Sequence, residues 1–210
     1  MSLSRQVSPN LEAVVANNPS PRKRPDPRAE ATRRQLAAAV LDLASQRDLH
    51  RITISDIAHR AGVNRATVYL HSTDRDSLLV DALEPWIARV ATLAAHCCPK
   101  RPATHAINPP PQLIDLFREF EQHAPLLRRV LGEHGSGKLT NRIHNRLREH
   151  ISRHLSPDSQ PGSIPYDLHA AYLSGALLGV LHHWLNHDTT PPATEIATTT
   201  WKLINNTPWP

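Results

Sequence analysis

Residues 51–79 read RITISDIAHRAGVNRATVYLHSTDRDSLL, and their spacing sets out two short helices, a tight turn and the start of a third helix. The first helix is expected over Thr53 to Ala61. Thr53 can cap it, Asp56 falls in its first turn, and Ile54, Ile57, Ala58 and Ala61 recur at helical spacing. Gly62 falls where the helix must stop, and glycine accepts positive φ without strain. Val63 can tuck beneath the turn, and Asn64 can cap a second helix over Arg65 to Leu70. A helical hairpin of this kind lays the start of its second helix in the major groove of DNA. A hairpin that only packs is the plainer alternative, but the combination of caps, turn and spacing favours DNA binding.

The charge distribution points the same way. Residues 22–75 carry eleven Lys and Arg against six Asp and Glu, whereas residues 76–210 carry twelve of each. The whole formal excess of +5 therefore sits on the segment holding the motif. Lys and Arg gain affinity for phosphates by releasing condensed counterions, although a solvated basic surface would show the same count.

By role, backbone N–H groups at the start of each short helix can meet phosphates. Thr53 and Ser55 stand at the first start, where their hydroxyls can cap the helix, touch the DNA backbone, or do both. Arg65, Ala66 and Thr67 stand at the second, where side chains reach base edges. Arg65 suits either the bidentate contact to guanine O6 and N7 or a phosphate.

The run T-I-S-D-I-A-x-x-A-G-V-N-R-A-T-V-Y-x-H, followed by D-R-D-S-L-L, closely resembles the amino-terminal domain of the TetR (tetracycline-repressor-like) family. The helix before it, EATRRQLAAAVLDLA from Glu30, matches that family's first helix, and YLSGALLGVLHHWLNHD matches more loosely near the carboxyl end. The resemblance implies that Tyr69 and His71 touch phosphate, with Arg75 doing so from the start of the next helix in place of the usual Lys. Ser72 departs from the pattern, because the family usually has Phe after the His. Val68, Leu78 and Leu79 must then close that small core with less aromatic volume.

The rest of the chain reads as helices. One is expected over Arg28 to Gln46, and a long one from Asp74 to Ala95 with a kink at Pro85 unless the proline opens a separate helix. Further helices are expected over Leu113 to Gln122, Ala124 to Leu131, Lys138 to Leu155, Tyr166 to His187 and Ala193 to Asn205. EHGSG reads as a flexible break, and no strand is expected. The fold class is therefore all-α, with a three-helix, homeodomain-like helix-turn-helix domain over 26–75 and a helical dimerisation and ligand domain over 76–210. Residues 1–25, ending in PRKRPDP, read as a disordered basic tail. No apolar run reaches about 18 residues and no signal-peptide core is evident, so a cytoplasmic location is expected.

The helix-turn-helix is short, so specificity needs two copies on a near-palindromic operator, and no internal repeat supplies the second. Gly175 and Gly179 lie four apart on one helical face, with Leu178, His182 and Leu185 nearby and Trp201 and Ile204 on the last helix. The resemblance makes this face the interface of a homodimer. It also implies an effector pocket, for which Trp86, Phe117, Phe120, Leu127, Ile143, Leu147, Tyr172 and Ala176 are candidates and His123 a polar anchor. Most would equally serve as core.

The adjacent Cys97 and Cys98 are poorly placed to bridge each other and read as reduced thiols, with redox sensing as the alternative. His183/His187 and His150/His154 have i, i+4 spacing but no evident third ligand, so neither a metal nor a cofactor is expected. No catalytic motif is present, so an enzyme is not expected. The expected function is a homodimeric transcriptional regulator, a repressor released by an unknown small molecule. The alternative is a regulator without such a ligand, controlled by a protein partner or by thiol oxidation.

Overall fold

The computed structural model describes residues 26–97, 108–155, 165–187 and 191–206. The expected amino-terminal tail, Cys98, and the loops around 99–107 and 156–164 lie outside them. Among the described residues there are nine α-helices, one 3-10 turn and no strand. The helices are α1 (Pro27–Gln46), α2 (Ile54–Ala61), α3 (Arg65–His71), α4 (Arg75–His96), α5 (Pro111–Gln122), α6 (Ala124–Leu131), α7 (Gly137–His154), α8 (Tyr166–Leu185) and α9 (Ala193–Asn206). None is long and apolar enough to cross a membrane.

Local chemistry sets the helix ends. Asp26 accepts from the Arg28 N–H at 3.0 Å, and Pro27 opens α1 where its missing N–H costs nothing. Thr53 and Asp56 form a reciprocal capping box at α2: the Asp56 N–H donates to Thr53 Oγ1 at 3.2 Å and the Thr53 N–H to Asp56 Oδ2 at 2.8 Å. The Thr53 hydroxyl and N–H hold the Asp56 carboxyl below its usual value. Gly62 takes φ +67° at the end of α2, and the Val63 N–H returns to the Ala58 carbonyl at 3.0 Å. Asn64 Oδ1 accepts from the Ala66 N–H at 3.0 Å to start α3, and Asp74 Oδ1 accepts from the Ser77 N–H at 2.8 Å to start α4.

Helix α4 runs unbroken through Pro85, so the proline does not open a separate helix. Proline removes one N–H and leaves the carbonyl of Asp81 without its helical partner. Both residues are exposed, so water can meet that carbonyl. The EHGSG segment breaks the helices between α6 and α7, as expected, through a hydrogen-bonded turn. The Gly135 N–H donates to the Gly132 carbonyl and the Ser136 N–H to the Val130 carbonyl, both at 2.8 Å. A Cβ on Gly135 would meet the Val130 carbonyl oxygen at 2.5 Å, so the turn closes only with glycine there.

Buried side chains form one continuous core from Leu36 in α1 to Trp201 in α9. The boundary expected at 75/76 therefore falls in the first turn of α4, without a break in packing. Val68, Leu78 and Leu79 are buried as expected, and no aromatic side chain is buried among residues 26–83. Helix α4 packs most extensively on α7, and α1, α5 and α7 all lie against it. Its fixed point on α7 is Glu84, which accepts from Arg142 Nε at 2.8 Å and from Arg146 Nε and Nη2 at 2.9 and 2.6 Å.

Partial burial alone would raise the Glu84 carboxyl, but the hydrogen bonds from Arg142 and Arg146 outweigh it and hold the group below its ordinary 4.5. A depressed carboxylate contributes stability that is fully present above the unfolded value and lost as pH falls through the folded one. The wild-type melting temperature should therefore fall as the pH drops below 4.5. Glu84→Gln should cost about 1 kcal/mol at neutral pH, a charge-assisted contact discounted for partial exposure, and should flatten that acid limb. Equal acid slopes in thermal melts of the two proteins would remove Glu84 as the source.

Candidate nucleic-acid interface

Helices α2 and α3 meet across the Gly62 turn, and the caps just described fix the start of each. Thr53 has its hydroxyl occupied locally, donating to Asp56 Oδ2 at 2.7 Å while accepting from the Asp56 N–H. Capping therefore accounts for Thr53 in the protein alone. Ser55 is exposed in the first turn of α2.

On α3, Val68 points into the core, while Arg65, Ala66 and Tyr69 are exposed together and Thr67 is half-buried at the edge. Arg65 Nη2 donates to the Tyr69 hydroxyl at 3.1 Å, and its guanidinium carbon lies 5.7 Å from the ring centroid. This contact pre-orients a cation and a phenol one helical turn apart. His71 is half-buried at the end of α3. The reading of the sequence did not single out Leu70, which is 84% exposed beside Tyr69. The signal lies in its place on the helix, since it stands opposite Val68, which must be buried.

Arg75 is placed differently from the other expected contacts. Its guanidinium turns inward: Nη1 donates to the carbonyls of Leu49 and Ile52, just ahead of α2, and Nε donates to Asp76 Oδ1 at 2.8 Å. The other oxygen of Asp76 accepts from Ser136 Oγ at 2.7 Å. Ser136 is buried and in turn caps α7 by accepting from the Leu139 N–H at 3.1 Å. Beside it, Lys138 Nζ donates to Asp74 Oδ2 at 2.8 Å and to Ser77 Oγ at 2.9 Å. The Lys138 bond is the main reason that the Asp74 carboxyl lies far below its ordinary range. A polar relay thus joins the α6–α7 turn to the approach of α2.

The expected effector-site residues divide. Phe117, Phe120 and Leu147 line a narrow apolar gap with Leu116, Leu177, Leu178 and Leu181, and it has room for about one water molecule. Trp86 stands against Phe120, ring centroids 5.6 Å apart, and against the half-buried His123 at 6.3 Å. Leu127 and Ile143 are buried but do not line this gap, and neither does the half-buried Ala176. Tyr172 is 43% exposed on the outside of α8. Leu178, expected at the dimer face, turns partly toward the gap. Trp86 Nε1 and His144 Nε2 are buried without a hydrogen-bond partner among the described residues.

The expected dimer residues divide as well. Gly175 and Gly179 lie on open surface, where an added Cβ would meet nothing within 4 Å. Leu185 and Trp201 are instead buried within the chain, and His182 and Ile204 are half-buried. Leu168 and Tyr172 continue the glycine stripe along α8, and Leu203 is exposed on α9; the sequence reading had given none of them to this face.

Two family models match the chain. Residues 36–82 match the model of bacterial regulatory proteins of the tetR family, and residues 108–206 match a transcriptional regulator C-terminal region. An uncharacterized HTH-type transcriptional regulator of Bacillus subtilis, YxbF, is 36% identical over 55 residues, 26% of this chain and 14% of that protein's length. Among solved structures, a TetR transcriptional regulator from Streptococcus agalactiae superposes with TM-score 0.61 at 17% identity, covering 84% of this chain and 95% of that one. NalD of Pseudomonas aeruginosa, the secondary repressor of the MexAB-OprM multidrug efflux pump, superposes with TM-score 0.56 at 16% identity, covering 86% and 100%. At such identities the structures speak for the fold, and the two sequence models speak for the family. The chain belongs to the TetR family, DNA-binding transcriptional regulators and not enzymes.

Proposed function

We propose that the protein is a homodimeric repressor that leaves a near-palindromic operator when a small apolar molecule enters its carboxyl-terminal half. The observation that carries this reading is the relay from the α6–α7 turn through Ser136, Asp76 and Arg75 to the carbonyls ahead of α2. The tie connects the turn that precedes α7 to the helices that would meet DNA. Two reader units must sit about 34–36 Å apart to meet successive major grooves on one side of DNA. A ligand that prefers a different placement of the α6–α7 turn weakens DNA binding by its differential affinity for the two states. The repressor activity named for NalD, a protein of the same fold, accords with this direction of control.

The second copy is supported by the open stripe of Leu168, Tyr172, Gly175 and Gly179 on α8, with Leu203 on α9. Residues at these spacings share one helical face, and the glycines allow close approach of a second helix. The apolar lining of the gap, with Trp86 Nε1 nearby as an unused donor, suits an apolar effector bearing one acceptor. The gap's small size favours a second reading, control by a protein partner without a small molecule. Thiol oxidation is a weaker route, because Cys97 is buried and its Sγ donates to the Leu93 carbonyl.

Three measurements test these parts. Arg75→Ala should lower the melting temperature and weaken operator binding, yet leave the salt dependence of binding unchanged, because the guanidinium is engaged within the protein. A drop of about 0.9 in the log–log salt slope would make Arg75 a phosphate ligand instead. At Gly179 an added Cβ would meet nothing within 4 Å, so the Gly179→Arg monomer should fold; across a symmetric interface the arginine would bury unpaired charge and cost several kcal/mol. Sedimentation should then show monomers, whereas an intact dimer would move the interface elsewhere. An effector should raise stability by about 2.7 kcal/mol at a hundredfold excess over its dissociation constant. If apolar acceptor-bearing compounds shift no melting temperature, the partner-controlled reading stands.

A further inference from the structure

The outward face of α3 is apolar at its centre. Successive residues of a helix turn by about 100°, which places the direction opposite Val68 between Ala66 and Leu70. Ala66 is exposed there, and Leu70, one turn further on, is 84% exposed, ahead of Leu203 at 60% and Leu168 at 59%. Arg65 and Tyr69 hold each other on the flank of this face. The cation and the phenol therefore stand beside the helix's outermost line, and the aliphatic pair stands on it. A leucine so placed gains nothing in the isolated protein, and its apolar surface is covered only when the reading face meets its partner.

On the reading that α3 enters the major groove, the chemistry of that partner is restricted. Phosphates, sugars and the purine and cytosine edges offer polar groups, which Leu70 would desolvate without satisfying. The C5-methyl of thymine is the apolar feature of the groove floor. We propose that Leu70 reads the C5-methyl group of one thymine in each half-site, with the small Ala66 side chain allowing the helix to approach closely enough. This makes Leu70 a specificity-determining residue and predicts an A·T pair at one defined position of each half-site.

The test uses the full-length protein and an operator enriched by it from random DNA. Each thymine of the half-site is replaced in turn by deoxyuridine, which removes the methyl and leaves the hydrogen-bonding edge unchanged. The wild type should lose about fourfold in affinity per half-site at one thymine, the worth of one buried methyl group. Leu70→Ala should bind the thymine and deoxyuridine operators equally at that position, with an unchanged melting temperature because the side chain is exposed. A flat deoxyuridine scan, or a Leu70→Ala protein that keeps the full penalty at every thymine, overturns the assignment while leaving DNA reading intact. Failure of the wild type to enrich any sequence would overturn both the DNA-reading function and this assignment.

Discussion

Asp76 is one carboxylate shared between two halves of the molecule. Its Oδ1 holds the Arg75 guanidinium, which reaches the carbonyls of Leu49 and Ile52, and its Oδ2 holds the Ser136 hydroxyl that caps α7. Bonds to a charged carboxylate are shorter and stronger than those between neutral groups; the one from Ser136 crosses 60 residues of sequence, while Arg75 is the neighbour of Asp76 and reaches back to the carbonyls ahead of α2. Asp76 thus takes part in placing both α2 against α4 and α4 against α7. The Glu84 clamp on Arg142 and Arg146 repeats the arrangement about two turns further along α4. Helix α4 is tied to α7 by the Ser136–Asp76 bond, by the bonds of Lys138 to Asp74 and Ser77, and by the Glu84 clamp.

The reading unit needs that support. Its core is closed by Leu36, Val40, Leu43, Ile57, Val68, Leu78 and Leu79 without a buried aromatic ring. Ser72 stands where related sequences place Phe, and its hydroxyl donates to the Asp74 carbonyl at 3.1 Å. Phe fills a core by area, whereas serine contributes one local hydrogen bond, so less hydrophobic energy is available to hold α3 against α4. Small units bury a smaller fraction of their surface and are marginal by themselves. The core continuing through α4, the Arg75 staple and the Lys138 bond to Asp74 supply from the carboxyl-terminal half what the missing ring withholds.

What the sequence made legible follows from the range of the forces involved. The capping box at Thr53 and Asp56, the left-handed Gly62 and the Asn64 cap are local, and they placed α2 and α3 to within a residue. Side-chain direction was less legible wherever distant elements decide it. Nothing near Arg75 in sequence announces the Leu49 and Ile52 carbonyls as its partners. On α8 the difficulty is different: most of the helix is apolar, so periodicity does not say which stripe packs inward. Packing on α7 and α9 takes Leu185 and Trp201 into the core and leaves Leu168, Tyr172 and the two glycines outside. Leu70 escaped notice for a third reason, since an isolated exposed leucine is ordinary and becomes informative only on the outermost line of a reading helix.

The carboxyl-terminal gap is a core packed almost to closure. Leu116, Phe117, Phe120, Leu147, Leu177 and Leu181 close on one another to leave space for about one water molecule, so the hydrophobic energy of the closed state is nearly complete. Polar satisfaction is not complete. Among the described residues, Trp86 Nε1, beside Phe120, and His144 Nε2, on the helix that carries Leu147, are both buried without partners. The same helix, α7, is capped by Ser136 and carries Lys138, Arg142 and Arg146, so the wall of this gap and the polar ties to α4 belong to one element.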